Sequence, residues 1–233
     1  MPDTPVTRVV EDYLPLIWKA YEWPGGTPTT TDLAARLAVT PSTVSATLKK
    51  LARDGFITYE PYGTIELTEV GRRIAVGIVR RHRVLETYLY HELGMPWDEV
   101  HIEADRLEHA VSDAVLARMD EALGHPSSDP HGDPIPDEDG NMVPDRSRSL
   151  AEAQVGEVVR VARVSDRSPN VLRYLDRIGI AIGTRLQVEE RNSEAGVIDI
   201  TRVGEHVQLG LRAATAVRVV IVSDLEHAGG RPW

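Results

Sequence analysis

The stretch HIEADRLEHAVSD, His101 to Asp113, gathers imidazoles and carboxylates along one short piece of chain. At about 100° per residue, His101, Asp105, Glu108 and His109 fall within roughly one quadrant of a helix. Val100, Ala104, Leu107, Val111 and Val115 form a second stripe about 110° away, and that stripe reads as core. Upstream, in RRHRVLE, His82 and Glu86 are spaced i,i+4 and share a face. Such a pair alone is ordinary on a solvated helix. Four potential ligands on one stripe are harder to dismiss, because burying carboxylates without a cation is costly. The pattern therefore points to a divalent metal. The chain has no cysteine, so zinc thiolates, disulfides and thiol nucleophiles drop out, and any ligands are imidazole and carboxylate.

These residues need helices to position them. A first helix is expected from Val6 to Trp23, weakened or kinked at Pro15, and WPGG ends it. A short helix near Thr31–Leu37, a turn at Ala38–Thr40 and a second helix over Pro41–Asp54 follow, closed by Gly55. FITYE and TIELT alternate as two strands joined at Pro61–Tyr62–Gly63. Helix, turn, helix and hairpin in this order make a winged helix-turn-helix. Val44, Leu48 and Leu51 face inward, leaving Thr40, Ser42, Thr43, Ser45, Ala46, Lys49 and Lys50 on or beside the outer face. Small hydroxyl residues there allow close approach to a major groove, and the lysines meet phosphates.

A long helix is expected over about Thr68–Glu92. Another starts after Asp98, a candidate cap, and runs to about Leu123. Residues 125–150 are rich in Pro, Asp and Gly and read as an extended connection. From Glu152 the pattern becomes five short strands interrupted by a helix at Asn170–Ile178, which predicts a small β-barrel. The expected class is mainly α with that small β-barrel. The expected domains are a winged helix over 1–75, a helical metal-binding and dimerisation domain over 76–145 and an SH3-like domain over 152–226.

Net charge is −10, but its distribution matters more. Residues 1–81 hold 10 Lys/Arg against 9 Asp/Glu, whereas residues 98–140 hold 13 acids against 2 bases. DNA binding is thus expected of the amino-terminal third. No run approaches the roughly 18 apolar residues of a membrane span, and the polar amino terminus lacks a signal-peptide core. A cytoplasmic protein is expected.

RRHRVLETYL, GMPWDEVHIEADRLEHAVSD and DPHGDPIP resemble segments of the diphtheria toxin repressor family of iron- and manganese-dependent transcriptional repressors. The resemblance covers most of the chain. It implies a homodimer that binds a palindromic operator when metal occupies two neighbouring sites per subunit. His82, Glu86 and His101 resemble the ancillary ligands, and Asp105, Glu108 and His109 resemble the primary ligands. Asp12, in VEDYL, resembles the remaining primary ligand, and Asp166, in VSDRS, a ligand that some members donate from the SH3-like domain. Iron-responsive members carry a sulfur ligand where this chain has Asp12 and Asp105. The resemblance is therefore to the manganese-responsive branch, although compact manganese regulators place a second acid where this chain has Pro15. Mn²⁺ is the expected co-repressor, controlling manganese homeostasis genes, with Co²⁺, Ni²⁺, Zn²⁺ or Cd²⁺ as substitutes in vitro. Three alternatives stand beside it: an Fe²⁺-dependent repressor of iron-homeostasis genes, a binuclear metallohydrolase, and a regulator that senses an organic ligand.

Overall fold

In the computed structural model of the chain, residues 6–23, 26–60, 63–137 and 140–222 are described. Pro24–Gly25, the hairpin tip at Pro61–Tyr62 and the expected domain end over 223–226 lie outside them. The chain divides into two units, one formed by residues 1–82 with 136–142 and the other by 83–135 with the residues from 143 onward.

The first unit contains α1 (Arg8–Tyr21), α2 (Thr30–Arg36), α3 (Pro41–Arg53), β1 (Ile57–Tyr59), β2 (Ile65–Leu67) and the start of α4 (Glu69–His91). Its core joins Leu14 and Ile17 of α1 to Leu33, Val44, Leu48, Leu51, Phe56, Ile57 and Ile65. Pro15 sits within α1 without ending it, and Tyr13, Leu14, Pro15 and Ile17 are all buried. Packing of that face outweighs the backbone hydrogen bond a proline cannot donate. Thr29 caps α2, its Oγ1 accepting from the Asp32 amide at 3.0 Å. Thr40 caps α3 in the same way, with Pro41 in the first turn. β1 and β2 pair antiparallel, with Thr58 opposite Glu66. The winged helix-turn-helix order is therefore present.

In the second unit, the remainder of α4 packs Leu85 and Leu89 against Val100 and Ala104 of α5 (Val100–Leu107). The single helix expected to reach Leu123 is instead two. α5 stops at Leu107, and α6 (Asp113–Ala122) starts afresh with Ser112 as its cap, accepting from the Val115 amide. A capping serine offers the backbone an alternative to continuing the helix. Val115 consequently stands exposed rather than joining the core stripe. Asp98 is not the cap of α5, since Glu99 holds that position. The Asp98 carboxylate instead accepts from Arg173 Nη1 at 2.7 Å.

The carboxy-terminal strands form one antiparallel sheet in the order β3–β8–β4–β5–β6–β7. These are β3 (Arg148–Ser149), β4 (Val158–Val164), β5 (Arg185–Asn192), β6 (Val197–Arg202), β7 (Glu205–Gly210) and β8 (Val217–Ile221). α7 (Pro169–Arg177) interrupts them, and the short α8 (Leu211–Ala214) lies before β8. The closed barrel is corrected to an open sheet, because β3 and β7 are edges and do not pair with each other. Alternation along a strand reveals which face is buried, but closure depends on which strands meet. Val159, Val161, Leu186, Val188, Ile198, Ile200 and Leu209 fill the sheet's core together with Leu172, Leu175 and Trp97.

The segment read as an extended connection is packed over its first part. Asp129, His131, Asp133 and Ile135 are buried, and Ser128 and Pro134 form an isolated bridge that closes the loop. Among the described residues no helix is long and apolar enough to cross a membrane.

Candidate metal centre

α4 brings Glu86 into the second unit as a buried carboxylate, 1% exposed. His82, also buried, precedes it by one turn of the same helix. α5 presents His101 and Asp105 one turn apart. His101 Nδ1 lies 3.0 Å from Glu86 Oε1 and 3.2 Å from Asp166 Oδ2, and its Nε2 lies 3.7 Å from Asp105 Oδ2. His101 thus meets three other expected ligands, and Asp166 reaches it from the loop between β4 and α7. Glu108 caps the end of α5 with helical backbone angles, and its carboxylate lies in one candidate ligand group with that of Asp105, within 4.8 Å. His109 follows in the turn, its Nε2 3.3 Å from Glu108 Oε1. Asp12 is half-buried on α1, in the first unit.

Two candidate ligands were missed in the sequence, Asp129 and His131. Both sit in DPHGDPIP, a stretch whose Pro and Gly content reads as linker. The detectable signal was a buried-type motif: an acid and an imidazole two residues apart, with Gly132 between His131 and a second acid. The loop folds on Asp129, whose Oδ1 accepts the amides of His131 and Asp133, both at 2.9 Å. Gly132 adopts φ +81°, and a Cβ there would stand 2.1 Å from the Ala162 carbonyl oxygen. Glycine is needed at that position for both reasons.

One ligand atom each from Glu86, Asp129 and His131 lies within 4.8 Å of the others, and all three residues are buried. His131 is fully buried, its Nε2 lies 2.7 Å from the Trp97 carbonyl oxygen, and its ring stacks on Trp97. A carbonyl can only accept, so Nε2 carries a proton, and in the neutral ring Nδ1 presents a lone pair. Nδ1 has no hydrogen-bond partner among the described residues. An imidazole fixed through one nitrogen by a carbonyl, with the other left as a base, is the arrangement of a metal ligand. Burial and the charges of Asp133 and Glu86 push the Asp129 carboxyl well above its ordinary range, against the opposing pull of Arg83. A cation there would relieve that repulsion, so the donors fit a divalent metal.

In the first unit, the outer face of α3 exposes Ser42, Thr43, Ala46, Lys49 and Lys50, with Ser45 half-buried and Thr40 exposed at the cap. Thr40 Oγ1 lies 2.8 Å from Ser42 Oγ and 2.9 Å from Thr43 Oγ1. A hollow of about 490 Å³ between α3 and the hairpin is lined by Thr29, Ser45, Lys49, Tyr59 and Ile65. The surface is polar and basic, with little side-chain bulk, and suits a nucleic-acid backbone.

Comparison with known proteins matches three family descriptions in succession. Residues 6–65 match the iron dependent repressor N-terminal DNA binding domain, 68–137 the iron dependent repressor metal binding and dimerisation domain, and 148–221 the FeoA domain. The chain is 35% identical over 223 residues to the iron-dependent repressor IdeR of Mycobacterium leprae, covering 90% of this chain and 95% of that protein. It is 39% identical to IdeR of Mycobacterium tuberculosis over 122 residues, a match spanning 52% of this chain and 53% of the relative, about half of each. A solved manganese-dependent transcriptional repressor in complex with manganese is 46% identical, with a TM-score of 0.87 over 91% of this chain and all of that one. These relatives are repressors rather than enzymes, which removes the metallohydrolase alternative. The buried imidazole–carboxylate site, the winged helix and the appended sheet thus belong together: this chain is a member of the iron-dependent repressor/diphtheria toxin repressor family of metal-dependent transcriptional repressors, and it carries that family's FeoA domain.

Proposed function

We propose that the chain is a manganese-responsive repressor whose homodimer binds a palindromic operator when two Mn²⁺ ions are bound per subunit. The observation that carries the reading is a donor set of carboxylates and imidazoles without sulfur. Glu86, Asp129, His131 and Asp166 hold one ion, with His101 beside them. Asp12, His82, Asp105, Glu108 and His109 hold the other. The resemblance groups His82, Glu86 and His101, whose ligand atoms also lie within 4.8 Å of one another. His82 is assigned instead to the second ion, because Asp129 and His131 supply buried donors around Glu86. A hard, oxygen-rich site accepts Mn²⁺, whereas sulfur ligands favour softer ions.

Residues 1–75 read DNA through Thr40, Ser42, Thr43, Ser45, Ala46, Lys49 and Lys50. Residues 76–145 bind metal and dimerise, and 152–226 form the SH3-like domain. Metal shifts the dimer toward the operator-binding state to the extent that it binds that state more tightly. The relatives named for iron favour a second reading, with Fe²⁺ as co-repressor. Operator binding under anaerobic, metal-buffered conditions separates the two. Mn²⁺ is expected to activate at lower free concentration, and metal-free protein to bind only weakly. Equal or better activation by Fe²⁺ overturns the manganese assignment, and tight binding by metal-free protein overturns the mechanism.

A further inference from the structure

We propose that Arg163, acting through Asp133, is a positioning residue for the buried cation site at Glu86, Asp129 and His131, so that filling this site and docking the FeoA sheet are coupled. The inference rests on the assignment of that site made above.

β4 reaches Arg163 through an irregularity. Its register against β8 shifts between Val161 and Arg163, and Arg163 and Val164 are both buried instead of alternating. A bulge of this kind re-aims a side chain, here turning a guanidinium inward at 3% exposure. Arg163 Nε and Nη2 lie 2.7 and 2.6 Å from Asp133 Oδ1. Its Nη1 donates to Asp145 Oδ2 at 2.6 Å, and Arg218 Nε lies 3.2 Å from that same oxygen. The guanidinium is therefore fixed from the sheet side by a second pair, and not only by the loop it holds.

Asp133 passes this constraint to the ligands. Its amide and that of His131 both donate to Asp129 Oδ1, and its carbonyl accepts the Asp129 amide at 3.0 Å. The Val164 amide of β4 also donates to the His131 carbonyl at 2.8 Å. From the other side Arg83 approaches Asp133 Oδ2 at 3.3 Å and donates to the Pro134 carbonyl at 2.6 Å. The loop bearing both ligands is thus clamped between α4 and the sheet. By reciprocity, whatever stabilises the metal-bound loop stabilises sheet docking to the same extent.

The test is Mn²⁺ titration of the full chain by calorimetry and electron paramagnetic resonance, with amide hydrogen exchange of residues 129–133 in metal-free protein. Wild type is expected to take two ions. Arg163→Met should lose about 10- to 100-fold in affinity at one site, the range for outer-shell partners of metal ligands, and leave the other unchanged. Amides 131 and 133 should exchange faster, and Arg163→Lys should restore part of the loss. Asp133→Asn should reproduce the selective loss, and with Arg163→Lys it carries the test should Arg163→Met fail to fold. Unchanged affinity at both sites, or equal loss at both, overturns the proposal. If Asp129→Asn and His131→Ala leave the Mn²⁺ stoichiometry at two, the site assignment itself fails, a result distinct from failure of the coupling.

Discussion

In the proposed metal site, Asp129 is a buried acid whose proton competes with the ion. Desolvation, together with the charges of Asp133 and Glu86, raises its carboxyl far enough that it holds a proton more readily than a free aspartate does. A cation must displace that proton, because metal ligands bind deprotonated. Affinity at this site should therefore rise with pH as the proton becomes easier to remove, and proton release should accompany Mn²⁺ uptake. Calorimetry in buffers of differing ionisation enthalpy counts the protons. Asp129→Asn should release fewer and bind the ion more weakly. An unchanged proton count would show that Asp129 is not a ligand. The contribution of His131 to the proposed site comes from its Nε2 hydrogen bond to the Trp97 carbonyl, which orients the ring.

Among the elements, the decisive piece is the short loop from Ser128 to Pro134. It has no helix or strand of its own, and its shape comes from Asp129 folding back on two amides and from Gly132 lying close against β4. Gly132→Ala combines a left-handed backbone with a contact far inside van der Waals distance of Ala162. The backbone strain alone costs on the order of 1–3 kcal/mol, and the steric conflict must move the loop or the strand. The expected result is a lower thermal midpoint together with weaker Mn²⁺ binding at the Glu86 site, read by scanning calorimetry and titration. Retention of both would mean that the loop tolerates displacement. The break between α5 and α6 is a comparable local decision: α5 ends at its cap Glu108, Ser112 caps a new helix, and His109 lies in the turn between them.

For the whole molecule, the proposed function separates reading from sensing. Lys49 and Lys50 are exposed on α3 in the first unit, while Glu86, Asp129 and His131 lie in the second. Lys49→Ala should weaken operator binding across sequences and lower the salt slope by about one, as expected for loss of one phosphate contact. Mn²⁺ affinity of the free protein should stay unchanged. Loss of metal binding in this variant would show that the helix has been assigned the wrong role.

The amino-acid pattern alone determined the helix-turn-helix order, because apolar spacing, capping threonines and Pro41 act over a few residues. It also singled out Glu86, His101 and Asp105, since i,i+4 spacing places side chains on a common helix face whatever surrounds them. The meeting of His101 with both Asp166 and Glu86 needed the tertiary structure, because those residues are far apart in sequence. So did the openness of the sheet, which depends on which edges pair. Asp129 and His131 were legible only as part of a Pro-rich run. Their burial comes from Arg83, Arg163 and β4 closing around the loop, a set of long-range contacts that no local periodicity encodes.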